Sequence, residues 1–383
     1  MEEFQQKKLK RSNLILIMCL FIPVLGYSQL QKKGLKTPFE SPVAFSTFNS
    51  EGFYKIEEFL PKGYVKNASV DYTSYIQNCL DNNKKIILPD FPVLITGIYP
   101  PSNSIIYFQK NSKLVLEPTS KETYHIIGLH GVENVKIYNA NLYGDRDQHK
   151  GTKGEWGFGI DIRKSSNIII ENSHIENTWG DGINITESSI GLVINKKSNI
   201  NTNNISINNI YINNVRRNGI SITGGTNVSV TNANINNVYG TMPQSGIDIE
   251  GYGNSTLKNI LLNNININNA HIGIDFHLAA FSKKDNEKSV DVTINKLKVY
   301  NSNYGVYIAG FKDQKNSWKI TGSFSLSNFE TNNVTKPFGK VKTFNKYPKV
   351  TISNYNFIKQ GKSFRNNEKL LLENVQDISG LKY

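Results

Sequence analysis

NISINNIYINNV at Asn204–Val215, followed by NVSVTNANINNV at Asn227–Val238, alternates apolar with polar residues and punctuates them with asparagine pairs. The spacing of Ile205 and Ile207, and of Val228 and Val230, turns one residue in two toward a common interior. That is the period of a β-strand, not of a helix. β-Branched side chains suit a pleated surface stacked on copies of itself. The pairs Asn208-Asn209, Asn213-Asn214 and Asn236-Asn237 suit tight corners, because asparagine tolerates the left-handed backbone and its amide can bond the asparagine of the next coil.

The same unit recurs as NVKIYNANLYG from Asn134, NIIIENSHIENT from Asn167 and NILLNNININNA from Asn259, so successive starts lie 33, 37, 23 and 32 residues apart. Each is followed by a Gly-apolar-x-apolar unit, starting at Gly159, Gly182, Gly219, Gly246, Gly273 and Gly305. A period in this range carried by short strands marks a solenoid. No helical leucine pattern separates the strands, which excludes a leucine-rich repeat. The expected fold is all-β, a right-handed parallel β-helix with coils about 4.8 Å apart. It should occupy 66–383, with Ser323–Phe329, Lys349–Phe357 and Leu370–Val375 as the last coils and their cap. At the other end, Asp71 can cap a short helix whose Tyr75, Ile76, Cys79 and Leu80 share one face and cover the open core.

Ahead of the solenoid, Lys7, Lys8, Lys10 and Arg11 precede the apolar run Leu14–Leu25, and Gly26-Tyr27-Ser28 supplies a small-residue cleavage site. This predicts a signal peptide over 1–28 and a secreted, periplasmic or cell-surface protein. The run is short for a membrane span of about 20 residues and contains Pro23. Residues 29–65, with Pro38, Pro42 and Pro61, read as an irregular arm. Without the leader Cys79 is the sole cysteine, so no internal disulfide can form. The chain carries +13, and +11 once the leader's four basic and two acidic residues are removed. That balance favours an anionic partner, and for an exported chain an acidic polysaccharide suits better than nucleic acid or lipid.

The monotony of Asn, Ile, Val and Ser breaks between Gly144 and Ile185. This stretch holds Asp145, Arg146, Asp147, His149, Glu155, Asp161 and Asp181, with Trp156 and Trp179, two of the three tryptophans. The x residues of the glycine units, Asp161, Asn184, Ser221, Asp248, Asp275 and Tyr307, should form one outward column, a groove along the coils. Three like charges at coil spacing repel unless a cation or a bound proton relieves them.

The run DYTSYIQNCLDNNKKIILPDFPVLITG from Asp71, the asparagine-cornered coils and WGDGINI resemble the pectate lyase-like β-helix superfamily, which includes polygalacturonases, polysaccharide lyases and phage tailspikes. The resemblance covers Asp71 to Tyr307 and implies an exported carbohydrate-active protein; the scaffold also hosts non-catalytic adhesins. Polygalacturonases end three successive coils in Asn-Thr-Asp-Gly, Asp-Asp and Gly-His-Gly motifs, where this chain has WGFGIDI, WGDGINI and RRNGISI. Asp181 matches the second aspartate of the pair, and Ser221 and Gly224 match residues after the histidine. Phe158, Gly180 and Asn218 replace the other three catalytic positions, which departs from an ordinary polygalacturonase.

Hydrolysis then needs its two carboxyls from Asp181, Asp161 and Glu155, about 5–5.5 Å apart for retention or 6.5–9.5 Å for inversion. Asn184, Asn218, Ser221, Asp248 and Asp145 would line the substrate, and Trp179, more than Trp156, would stack a sugar face. β-Elimination on a uronate polymer is the alternative, with Arg146 neutralising the carboxylate and His149, in an exposed loop, taking the α-proton. A non-catalytic glycan-binding surface protein is the third reading. No cofactor is called for: zinc ligand clusters and nucleotide loops are absent from the sequence. Asp145 and Asp147 fall short of the six to eight oxygens that calcium takes.

Overall fold

Among the described residues strand follows strand, and up to Lys349–Lys359 each pairs in parallel with strands of the adjacent coils. The computed structural model describes residues 51–190, 199–252, 255–278, 287–309, 319–340, 348–359, 362–366 and 370–372. The expected signal peptide, the arm up to residue 50 and Cys19 lie outside these, as do residues 373–375 of the expected cap. All described residues belong to the unit Ser41–Tyr383.

The apolar alternation produces continuous stacks. Val135, Ile168, Ile205, Val228, Ile260, Val292, Phe324 and Val350 are register partners in turn, and all are buried. Ile137, Ile170, Ile207, Val230, Leu262, Ile294, Leu326 and Ile352 form the next stack. Burying two such rows per coil removes apolar area from water along the whole axis, so the core is a rod and not a ball. The architecture is the right-handed parallel β-helix expected from the repeats.

The corners are built as the asparagine pairs foretell. Asn134, Asn167, Asn204, Asn227 and Asn259 all have φ between 53° and 57°, and each donates its side-chain amide to the asparagine one coil earlier at 2.7–3.1 Å. A second corner repeats the device from Asn209 to Asn172 at 2.8 Å and from Asn264 to Asn232 at 2.7 Å. The left-handed backbone costs asparagine little, and the ladder satisfies amides that would otherwise need water.

The N-terminal cap is the helix Thr73–Asn82, with Ile76, Cys79 and Leu80 buried against the first coil. The N-cap is Tyr72, without a side-chain capping bond, and Asp71 stands one residue ahead of it, its Oδ1 accepting from the Thr73 amide at 2.8 Å in a turn into the helix. Tyr75 departs from expectation and is exposed, because a helix on the rim of a rod buries a narrower stripe than one inside a bundle. Burial also pushes the Cys79 thiol up to about 11. The arm does not stay irregular to residue 65. Tyr54–Lys55 pairs in parallel with Ile86 and Ile87, and Ile56 enters the core, so the solenoid begins before residue 66. At the far end Lys362–Asn366 and Leu370–Leu372 fold back antiparallel on Lys349–Lys359, so the last segment is cap and not coil. No helix of the described residues is long and apolar enough to cross a membrane.

Candidate active site

The glycine units owe their glycine to close approach. A Cβ on Gly159 would meet the Gly182 carbonyl oxygen at 2.5 Å, one on Gly182 that of Gly219 at 2.6 Å, and one on Gly219 that of Gly246 at 2.5 Å. Backbones this tight hold the flanking side chains in strict columns. Asp161, Asn184, Ser221, Asp248, Asp275 and Tyr307 are register partners in that order. The column exists, but it is not the open groove expected: Asp161, Ser221 and Asp248 are each 1% exposed. Neighbouring polar groups bond one another instead.

At the N-terminal end, Asp161 is enclosed by donors. His130 Nε2 lies 3.0 Å and Arg163 Nε 2.6 Å from its Oδ2, while Asn184 donates to Oδ1 at 2.7 Å. Burial works to raise this carboxyl, yet the bonds from His130 and Arg163 prevail and hold it below the usual range. His125 packs on His130 with ring centroids 4.9 Å apart, and burial drives it down to about 4, so it is neutral near pH 7. His125, His130 and Asp161 offer ligand atoms within 4.8 Å of one another. The guanidinium on the same aspartate oxygen opposes a cation there, and the cluster reads as a structural network. Asp161 therefore does not converge with Asp181 and Glu155 as expected, because its oxygens are already taken by Arg163 of its own coil, His130 of the coil before and Asn184 of the coil after.

Asp181 begins a second network that runs the other way along the axis. Ser221 Oγ donates to Asp181 Oδ2 at 2.8 Å, the Asn218 amide to Oδ1 at 3.1 Å, and Arg217 Nη1 lies 3.1 Å from Oδ2. Asn218 Nδ2 reaches both Ser221 Oγ at 3.1 Å and Asp248 Oδ2 at 3.0 Å. Asp248 Oδ1 and Asp275 Oδ1 are buried and have no hydrogen-bond partner among the described residues. Burial raises Asp181 against the pull of Arg217 and Ser221. Burial, then Asp275 and Glu250, raise Asp248 well above the carboxylate range, and burial with Glu250 brings Asp275 up to about 7.

Arg217 joins this buried network to the surface. Its Nε lies 3.6 Å from Glu155 Oε2, whose side chain is 35% exposed, while its Nη1 holds Asp181. Burial works to lower the guanidinium, and Asp181, Asp248 and Glu155 outweigh it. Beside Glu155, Trp156 is 44% exposed and stands open. Trp179 does not: the His149 ring stacks on it at 4.1 Å and Arg216 Cζ lies 3.7 Å from its ring centre. The ring left open is thus Trp156, whereas Trp179, the one expected to be free, is covered.

The Gly144–Trp156 loop is fastened down. Asp145, 2% exposed, accepts from Tyr124 Oη at 2.6 Å and from the Thr119 amide at 3.1 Å, and sits 2.8 Å from His149 Nδ1. It anchors the loop with both oxygens in use, while Asp147 beside it is exposed. The His149 side chain has no exposure, contrary to the expected open position, because Trp179 covers it. Arg146 lies over Tyr239 at 3.9 Å and donates to its carbonyl at 2.8 Å, tying the loop to a later coil instead of facing Asp181.

Sequence reasoning brought together Asp181, Asn218, Ser221 and Asp248, and missed Arg217, Arg163, His130 and Tyr124. Arg217 was legible as the charged residue next to Asn218 in RRNGISI. Arg163 and His130 were legible as the outward position two residues beyond Asp161 and Gly128.

No protein-family model matches the chain. Among curated proteins, the uncharacterized protein YclG of Bacillus subtilis (strain 168) is 34% identical over 170 residues, 42% of this chain and 29% of that protein. The SPbeta prophage-derived uncharacterized protein YorA of the same organism is 32% identical over 99 residues, 24% of this chain and 17% of that protein. The chain thus matches under a third of either relative. A polygalacturonase from Erwinia carotovora ssp. carotovora superposes with a TM-score of 0.55 at 17% identity, over 78% of this chain and 93% of that one. The shared fold is the right-handed parallel β-helix. An iota-carrageenase complexed to iota-carrageenan fragments has the same β-helix, with a TM-score of 0.50 at 13% identity over 77% of this chain and 76% of that one.

Proposed function

We propose that this β-helix is an exported, glycan-active enzyme, a polysaccharide hydrolase whose cleft lies over Glu155, Trp156 and Arg217. The observation that carries the reading is Arg217, which links an exposed carboxyl, Glu155, to a buried one, Asp181, and through Asn218 and Ser221 to a third, Asp248. Glycoside hydrolysis needs one carboxyl as acid and one as base or nucleophile. Asp181, with three donors on its oxygens, is equipped to work ionised. Asp248, with one donor and an unpartnered oxygen, is equipped to hold a proton. An acidic sugar can compete with Asp181 for Arg217, which would uncover the buried carboxyl as substrate binds. The net charge, +11 once the expected leader is removed, supports an anionic polymer. Proteins described as a polygalacturonase and an iota-carrageenase share the fold, which agrees with this reading.

Hydrolysis is favoured over β-elimination because His149, the base that elimination would use, is sealed between Trp179 and Asp145. The test is to incubate the purified protein with a panel of acidic and neutral polysaccharides, following reducing ends and the ultraviolet absorbance of unsaturated uronate. New reducing ends without that absorbance support hydrolysis. Absorbance appearing with the reducing ends makes the protein a lyase, and binding without either product makes it a glycan-binding surface protein.

A further inference from the structure

Asp275 is absent from the hydrogen-bonded network of Asp181, yet it is the direct register partner of Asp248 on the next coil. Paired strands bring such partners to within about 4.8 Å at the backbone. Both side chains leave the same face of the sheet, both residues are at most 4% exposed, and each keeps one oxygen with no donor among the described residues. Two carboxylates at this separation, shielded from water, cannot both be charged. A single proton resolves both deficits, since a protonated oxygen becomes a donor and the neighbouring carboxylate supplies the acceptor.

We propose that Asp275 is a positioning residue for Asp248: the two buried carboxyls hold one proton between them, and this keeps Asp248 in the acid form that hydrolysis requires. The inference rests on the reading of Asp248 as the acid of the site. Every charged or titratable neighbour fits it. Glu250 on the Asp248 strand adds negative charge, Tyr252 Oη donates to Glu250 at 2.7 Å, and Tyr307 follows Asp275 in the column. His277 is the register partner of Glu250. Among the described residues Arg217 is the arginine nearby, and it directs Nη1 to Asp181 and Nε toward Glu155. Asp248 and Asp275 therefore share a site in which the proton is the available counter-charge.

Infrared spectroscopy of the full-length protein in heavy water, titrated from acid to alkaline pH, reads the proton directly as the carbonyl band of a neutral carboxylic acid. The wild type is expected to keep such a band at neutral pH, where isolated aspartic acids have lost it. Asp248→Asn should remove it, and Asp275→Asn should move its titration down by about one pH unit or more, a tenfold change in proton affinity. Asp275→Ser, the residue type the column carries at Ser221, repeats the test should the asparagine variant not fold. On any glycan the wild type cleaves, Asp275→Asn should shift the limb of the kcat/KM profile that reports the acid to lower pH. No neutral-pH band in the wild type, or a band indifferent to both Asp275 variants, overturns the proposal. A band that behaves as expected in a protein that cleaves no glycan supports the shared proton and removes the hydrolase reading.

Discussion

Asp161 and Asp248 occupy the same position of the repeat, three coils apart in one column of register partners. Asp161 is paired with Arg163 and hydrogen-bonded to His130, and lies below the usual carboxylate range. Asp248 faces a second aspartate and a glutamate and lies far above it. A solenoid repeats its geometry, so the difference cannot come from the strand. It comes from residues two places along or one coil away. The lesson is that in a β-helix the column sets where a group stands, and its neighbours set whether that group is scaffold or chemistry.

The comparison breaks most visibly at Arg163. Arg163→Ala leaves the Asp161 carboxylate buried without its cation and is expected to cost about 3–5 kcal/mol in denaturant unfolding. Asp248→Asn removes a group with no cation of its own, and stability at neutral pH should hold or rise. Equal losses in the two variants would show that the two ends of the column are not different in kind.

A pH scan of thermal stability sharpens the contrast through its sign. Asp275 is raised from 3.8 in the open chain to about 7 in the fold, so its contribution is full below the lower value and is lost as pH rises through the upper one. Asp161 is lowered by folding, so its contribution is present above the ordinary carboxylate value and is lost as pH falls. Asp275→Asn should flatten the decline between acid and neutral pH and leave the acid limb, whereas Asp161→Asn should do the reverse. An Asp275→Asn curve parallel to that of the wild type contradicts the assignment.

Two smaller effects complete the series. Ser221→Ala deletes the hydroxyl that donates to Asp181, and should cost about 1–3 kcal/mol in the same unfolding assay. Asn209→Gly keeps the left-handed corner but removes one rung of the ladder, and should cost about 1 kcal/mol or less. A corner variant more damaging than Ser221→Ala would mean that the ladders, and not the polar column, are the sensitive part of the coil.

The fold was legible because it is written repeatedly: alternation such as Ile205/Ile207 fixes the inward face, and the paired asparagines fix the corners. The alignment of Asp161, Asn184, Ser221, Asp248 and Asp275 followed from the same period. What the period could not convey was cover. Asp161 and His149 look exposed in sequence because their neighbours are polar, yet they are sealed by contacts 31 and 25 residues away, from His130 to Asp161 and from Tyr124 to His149. Trp179 was misjudged for the same reason, since only the folded loop lays His149 and Arg216 on its ring. Arg217 escaped because a single arginine beside a turn has many uses, and its bridge from Glu155 to Asp181 exists only once three coils are stacked.

The most direct test of the site is the turnover of Asp181→Asn against that of the wild type, on a polysaccharide the wild type cleaves. The substitution is nearly isosteric and circular dichroism should be unchanged. Turnover is expected to fall by about 10²-fold or more, the loss that follows when a reacting acid or base is removed. Full activity in Asp181→Asn would contradict the account and move the chemistry away from the Arg217 bridge.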